Sequence, residues 1–283
     1  MAGDNAEQIA EWNGPMGKLW AERQREIDSI IVPFGAAALR AAAPQPGERV
    51  IDIGCGCGDT SIEIARMVGD TGAVLGVDVS QPMLEVARAL AAQTRQAHLE
   101  FREADASEAG LPAGVDLLFS RFGVMFFNEP SPAFSHMRKS LRKGGRCVFV
   151  CWRTPRDNAW AMTPLAAARA ALGITPPPAD PHAPGPFAFA DGERVRALLS
   201  GAGFGDIDVQ RFDAAVAIGA SPRQAAERAL RIGPTSRLAR EMGPASVPAI
   251  LAAVERAFAA LAAPDGRVSM EGSSWIVSAT SSG

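Results

Sequence analysis

The sequence opens without a charged-then-apolar leader, has no apolar run long enough to cross a bilayer, and has no excess of basic charge. The first two absences make a cytoplasmic protein the expectation, with no membrane partner. Its four cysteines, Cys55, Cys57, Cys147 and Cys151, are then reduced thiols rather than a disulfide framework. The third absence argues against a polyanion: 28 basic against 31 acidic side chains leave a net charge of −3, so no nucleic-acid partner is expected. The densest basic run, Arg138, Lys139, Arg142, Lys143 and Arg146, reads as the solvated end of a helix closed by Gly144-Gly145. Histidines are few: His98, His136 and His182 are scattered with no ligand spacing, and no internal repeat is evident.

What is present is an alternation. Residues 5 to 43 read as helical, and Pro44, Pro46 and Gly47 break the pattern. Short apolar strands then alternate with helices: "RVIDIG", "DTSIEIARMVG", "AVLGVDVS", "QPMLEVARALAAQT", "LEFREAD", "VDLLFSRF", "SPAFSHMRKSLRKGG" and "RCVFVCW". Nearly continuous apolar strands separated by helices imply a parallel sheet covered on both faces, hence a doubly wound α/β fold. Ligands in such sheets lie at the carboxyl ends of the strands. Beyond Trp152 the texture changes. A proline-rich stretch, "TPPPADPHAPGPFAFADG", cannot be one regular element. Helices are expected near 157–172 and 191–201, then a strand in "FGDIDVQRFDAAVAI". Helices follow in "SPRQAAERALRIG" and "SVPAILAAVERAFAALAA", and a last strand in "RVSMEGSSWIVSAT".

The stretch "VIDIGCGCGDT" admits two readings, a thiolate metal clip or a backbone cradle. A structural zinc site wants four ligands in two separated pairs, and Cys55 and Cys57 have only one residue between them. No metal is expected. A cradle needs glycines between a strand and a helix start, where the backbone approaches a ligand and unsatisfied N–H groups face it. No lysine follows to make a phosphate loop, and a dinucleotide fingerprint would need glycine at position 59, which is Asp59. The pattern that stands is Asp52-x-Gly54-x-Gly56-x-Gly58.

That pattern, followed in order by "VLGVDVSQPML", "READAS", "VDLLFSRFGVMFF" and "LRKGGRCVFVCW", resembles class I S-adenosylmethionine-dependent methyltransferases. The likeness covers residues 48 to 152 closely and the rest loosely. It implies a doubly wound, mostly parallel seven-stranded sheet whose last strand is antiparallel. Around it go an N-terminal helical arm or lid (1–47) and a methyltransferase domain (48–283) with helical cap segments near 155–190 and 220–265. The cofactor implied is S-adenosyl-L-methionine, with S-adenosyl-L-homocysteine as product. The resemblance sets Gly54, Gly56 and Gly58 along its methionine part. Asp52 fixes the loop or reaches the amino group through water. Asp78 takes the ribose hydroxyls, Val79 and Met83 flank the adenine, Asp105 accepts from the adenine amino group beside Ala106, and Ser120 lies close to the transferred methyl.

The acceptor side is expected to be aromatic. Trp12 and Trp20 in the arm, Phe122, Phe126 and neighbours after the fourth strand, Trp152 at the end of the fifth, and Trp160 beyond it are the candidate substrate-binding residues. The same aromatics read equally well as core. Catalysis is expected mainly by positioning, with no residue assigned as base. The implied reaction is in-line methyl transfer to an N, O, S or C nucleophile of a small hydrophobic or aromatic metabolite, by a monomer or homodimer. The alternatives are a cofactor-binding sensor or scaffold without turnover, a methyltransferase of protein or nucleic acid, and a nicotinamide dehydrogenase.

Overall fold

The computed structural model describes residues 5–176 and 180–282. The predicted single helical stretch at the front is three helices, α1 (Ala6–Asn13), α2 (Pro15–Glu22) and α3 (Gln24–Ala42). Gly14 ends the first with extended backbone, and Pro15 opens the second, where its missing N–H costs least. The alternation follows: β1 (Arg49–Ile53), α4 (Asp59–Val68), β2 (Ala73–Asp78), α5 (Gln81–Ala91), β3 (Leu99–Glu103), β4 (Val115–Arg121), α6 (Pro130–Arg138) and β5 (Leu141–Trp152). Then come α7 (Ala159–Leu172), α8 (Gly192–Gly201), β6 (Phe204–Gly219), α9 (Pro222–Ala229), α10 (Pro234–Met242), α11 (Val247–Ala259) and β7 (Val268–Ser281). The proline-rich stretch falls partly outside the described residues, at 177–179.

The seven strands form one sheet in the order β3-β2-β1-β4-β5-β7-β6. β7, the last strand in the chain, runs antiparallel between β5 and β6, and the other pairings are parallel. The strand order reverses at β1, so the crevice for a ligand opens where β1 and β4 end. β1 and β4 are buried nearly throughout, as strands covered on both faces must be. β3 and β6 lie at the edges and are half-exposed, with more polar residues than the central strands.

α3 packs on β5, β6 and β7, and its Phe34 meets Phe122, Trp152 and Phe212 edge-on. On the other side Phe134 of α6 packs against Phe149, Phe189 and Phe204. The helix expected to end at the paired glycines stops earlier, at Arg138. Leu141 already pairs with Val115 while Arg146 pairs with Leu117, so residues 142–145 bulge out of the strand, with Gly144 at φ +72°. The basic run is therefore split: Arg138 and Lys139 stand at the end of α6, and Arg142 and Arg146 are spent on local carboxylates. Arg142 pairs with Asp116, and Arg146 makes two 2.7 Å bonds to Glu48 and one to the Ala42 carbonyl. α10, which the sequence reading does not contain, follows Gly233-Pro234 in the helical material between β6 and β7.

Candidate active site

β1 delivers its chain end into three alternating left-handed glycines, Gly54 (φ +65°), Gly56 (φ +56°) and Gly58 (φ +83°). A side chain costs about 1–2 kcal/mol in that conformation even where there is room. The three differ in their surroundings. A Cβ on Gly54 would stand 2.8 Å from the Gly123 Cα, and one on Gly58 2.8 Å from the Phe101 ring. A Cβ on Gly56 would meet only the Met83 Cε, at 3.6 Å. Gly54 and Gly58 are thus glycine for packing, whereas Gly56 faces open space.

Asp78, ending β2, holds the loop in place. Its Oδ2 accepts from the Gly56 N–H at 2.7 Å and its Oδ1 from the Ser80 N–H at 2.8 Å. Burial raises its carboxyl above the usual carboxylate range, against the pull of these amides. Behind the loop, Asp52 is fully buried, and its Oδ2 accepts from the hydroxyls of Thr60 and Ser61, both at 2.7 Å. It anchors the first turn of α4. Its Oδ1 has no partner among the described residues. Burial pushes this carboxyl from the ordinary 3.8 up to about 6.

A pH signature follows from Asp52. Its folded pKa exceeds its unfolded one, so the native state binds the proton more tightly. That contribution to stability is complete below about pH 4 and is lost as pH rises through about 6, on the order of 3 kcal/mol. Urea denaturation of wild type and Asp52→Asn at pH 4 and pH 7 should show the wild type losing more of its stability over that interval. Parallel losses in the two proteins would contradict this account.

Cys55 and Cys57 alternate with the glycines and are buried, and burial raises both thiols, that of Cys57 to about 12. A metal clip needs thiolates, which this environment disfavours.

The arm closes over the loop. The Asn13 side chain donates to the Val79 carbonyl at 2.7 Å and accepts from the Gln81 N–H at 3.0 Å, while the Ser80 hydroxyl donates to the Trp12 carbonyl. Asn5 donates to Asp105 Oδ2 at 2.9 Å, and the other Asp105 oxygen accepts from the Ser107 N–H. The Trp12 ring meets Trp20 and Phe126 edge-on at 5.5 and 5.1 Å. A cleft remains between arm and sheet, with about 1000 Å³ of empty space including its open mouth.

Most predicted site residues converge on this cleft. Gly54, Gly56, Asp78, Val79, Met83, Asp105 and Ala106 line it, as do Trp12, Trp20, Phe122 and Phe126. Five do not reach its wall. Asp52 and Gly58 lie beneath the loop. Ser120, expected near the transferred methyl, spends its hydroxyl donating to the Ile53 carbonyl at 2.7 Å and accepting from the Gly123 N–H, which ties the ends of β1 and β4 together. Trp152 lies behind Phe122, stacked on it at 4.2 Å. Trp160, a further 5.2 Å from Trp152, borders a separate small cavity with Arg228 and Thr235.

The wall also holds residues that the sequence reading missed. Arg121 and Asp28 form an ion pair at 2.9 Å, and Arg121 reaches Asp59 at 3.4 Å. Asp28 had a signal: Gln24, Ile27, Asp28 and Ile31 share one helical face, so a charge sat on an apolar stripe. Gly123 and Asn5, also on the wall, had none. Phe122 itself takes φ +61°, a strained conformation for a bulky residue, held by the stack on Trp152 and by Phe34.

The cleft lies where a doubly wound sheet holds its ligands, outside the carboxyl ends of β1 and β4. Residues 50–145, about a third of the chain, match the family model described as a methyltransferase domain. The aklanonic acid methyltransferase DauC of Streptomyces sp. (strain C5) is 34% identical over 43% of this chain and 56% of its own length. The ubiquinone/menaquinone biosynthesis C-methyltransferase UbiE of Teredinibacter turnerae is 31% identical over 52% of this chain and 54% of its own. The chain spans about half the length of the curated relatives it matches. A solved structure from Bacillus halodurans C-125, described as a candidate methyltransferase, superposes with a TM-score of 0.58 at 18% identity. It covers 87% of this chain and 98% of the other, and it shows a shared fold. Residues 50–145 thus match a methyltransferase domain, and the sheet that carries them shares its fold with that solved structure. No helix among the described residues is long and apolar enough to cross a membrane.

Proposed function

We propose that this protein transfers the methyl group of S-adenosyl-L-methionine to a small hydrophobic or aromatic molecule. The observation that carries this reading is the open face of Gly56 beside the Asp78 carboxylate, in one cleft with an aromatic wall. The residues present fit the cofactor. Gly56 leaves a groove that any Cβ would fill. Each Asp78 oxygen accepts one backbone N–H and retains a lone pair for a ribose hydroxyl. Asp52 Oδ1, buried and unpartnered behind the loop, suits a water bridge to a cationic amino group. Val79 and Met83 offer apolar flanks to a base, and Asp105 offers Oδ2 to its amino group once Asn5 releases it. When bound, the cofactor supplies an electrophilic methyl carbon whose bond pair leaves with sulfur.

The chain's own residues bind, orient and exclude water. Trp12, Trp20, Phe122 and Phe126 make an apolar wall that holds the acceptor against the loop. In this reading residues 1–47 act as a lid over a domain spanning 48–283, and the helices near 155–190 and 220–265 cap it. The charge balance gives no reason to expect a nucleic-acid partner. Incubation of a metabolite pool with deuteromethyl cofactor, followed by mass spectrometry, tests the function. A small molecule gaining the label is expected. Tight cofactor binding with no labelled product would instead indicate a sensor.

A further inference from the structure

Two charged side chains on the cleft wall have no part in the binding scheme above. Asp28 projects from α3 between Ile27 and Ile31, and Arg121 ends β4 next to Phe122. Their side chains are only 16% and 11% exposed, yet both line the cleft. The sheet order fixes which part of the cleft they occupy. β2 and β3, which carry Asp78 and lead to Asp105, lie on one side of the glycine loop, and β4 lies on the other. The ion pair therefore stands away from the sugar and base, among Ile27, Ile31, Phe122 and Trp20. An apolar wall with one buried carboxylate and one guanidinium suits a hydrophobic molecule with an ionisable oxygen.

We infer that Asp28 takes the proton from the hydroxyl of a phenolic or enolic methyl acceptor, with Arg121 holding the carboxylate and facing the oxygen that becomes negative. The inference rests on the methyl-transfer reading of the cleft. In the step, the acceptor O–H bond breaks and its electron pair stays on oxygen. The proton bonds to a carboxyl oxygen of Asp28, which becomes a neutral acid and returns the proton to solvent after product leaves. The groups facing Asp28 are Arg121 from β4, Asp59 from α4, the Cys57 thiol from the loop and Gln24 from its own helix. Burial raises the Asp28 carboxyl, Arg121 opposes that rise and Asp59 adds to it. A raised carboxyl is the better base toward a weakly acidic hydroxyl.

The test, run at about pH 8, uses 2-naphthol, which still arrives protonated, and 4-nitrophenol, which arrives largely ionised, with wild type and Asp28→Asn. Both proteins should bind S-adenosylhomocysteine within about threefold of each other by calorimetry, and 4-nitrophenol likewise by its visible absorbance. Asp28→Asn should lose at least about 100-fold in kcat on 2-naphthol with KM little changed, and less than about tenfold on 4-nitrophenol. Raising the pH should restore the variant on 2-naphthol, and Asp28→Glu should recover part of the rate. Equal losses on both phenols, an unchanged pH profile, or failure of either phenol to bind or to be methylated by wild type would overturn the assignment. If label from the deuteromethyl cofactor still reaches thiols or amines in the pool, only the role of Asp28 fails. If the cofactor does not bind at all, the reading of the cleft fails with it.

Discussion

Asp78→Ala is expected to weaken binding of S-adenosylhomocysteine by about 100-fold or more, measured by calorimetry. The wild-type carboxylate does two jobs at once. It holds the Gly56 and Ser80 N–H groups, and so fixes the loop at the backbone angles the cleft requires. It also presents a second lone pair on each oxygen to the cleft. Hydrogen bonds to a charged group are worth about 1.5–3 kcal/mol each, so losing even two ribose contacts accounts for roughly a hundredfold. The freed amides add to this by loosening the loop. Asp78→Asn keeps one acceptor oxygen and should fall between wild type and alanine. Because the buried carboxylate is itself costly to ionise, its removal should change stability less than affinity. A melting temperature near wild type alongside lost binding would separate the two. Wild-type affinity in the alanine variant would remove Asp78 from the site.

Why Asp78 was legible in the sequence and Asn5 was not is a matter of periodicity and topology. In a parallel sheet every strand end points to the same edge, so "VIDIGCGCGDT", the aspartate of "VLGVDVS" and that of "READAS" fall together as soon as the strands are recognised. The antiparallel return of β7 came from the family resemblance, and the structure has it between β5 and β6. What the arm brings to the cleft depends on how α1, α2 and α3 fold back, which no strand pattern encodes. Asn5 was therefore missed, and the charge of Asp28 on its apolar helical stripe showed an oddity but not that it faces the cleft. Trp152 and Trp160 stand off the wall for another reason: an aromatic side chain at a strand end, or at a helix start as Trp160 is in α7, looks the same in sequence on the cleft wall or one layer behind it. Here Phe122 takes the wall, and Trp152 backs it. Ser120 looked like a site residue because it ends a strand, but its hydroxyl closes the β1–β4 junction.

The glycine loop allows the fold and the ligand to be separated by one methyl group. Gly54→Ala and Gly56→Ala both place a side chain at positive φ, at about 1–2 kcal/mol each. In Gly54→Ala the new Cβ also lies 2.8 Å from the Gly123 Cα, which is backbone and cannot rotate away. The β4 end, with strained Phe122, must move, so this variant should melt at least about 5 °C below wild type. In Gly56→Ala the nearest atom is the flexible end of Met83 at 3.6 Å, so the melting temperature should fall by only about 2–4 °C. Its methyl group nonetheless projects into the groove where the ligand would lie. Gly56→Ala should lose at least tenfold in affinity for S-adenosylhomocysteine and most of the thermal shift the ligand produces. Thermal melts of both variants with and without ligand supply all four numbers. If Gly56→Ala binds as well as wild type, the ligand does not lie on this loop, whatever the stability of the two proteins.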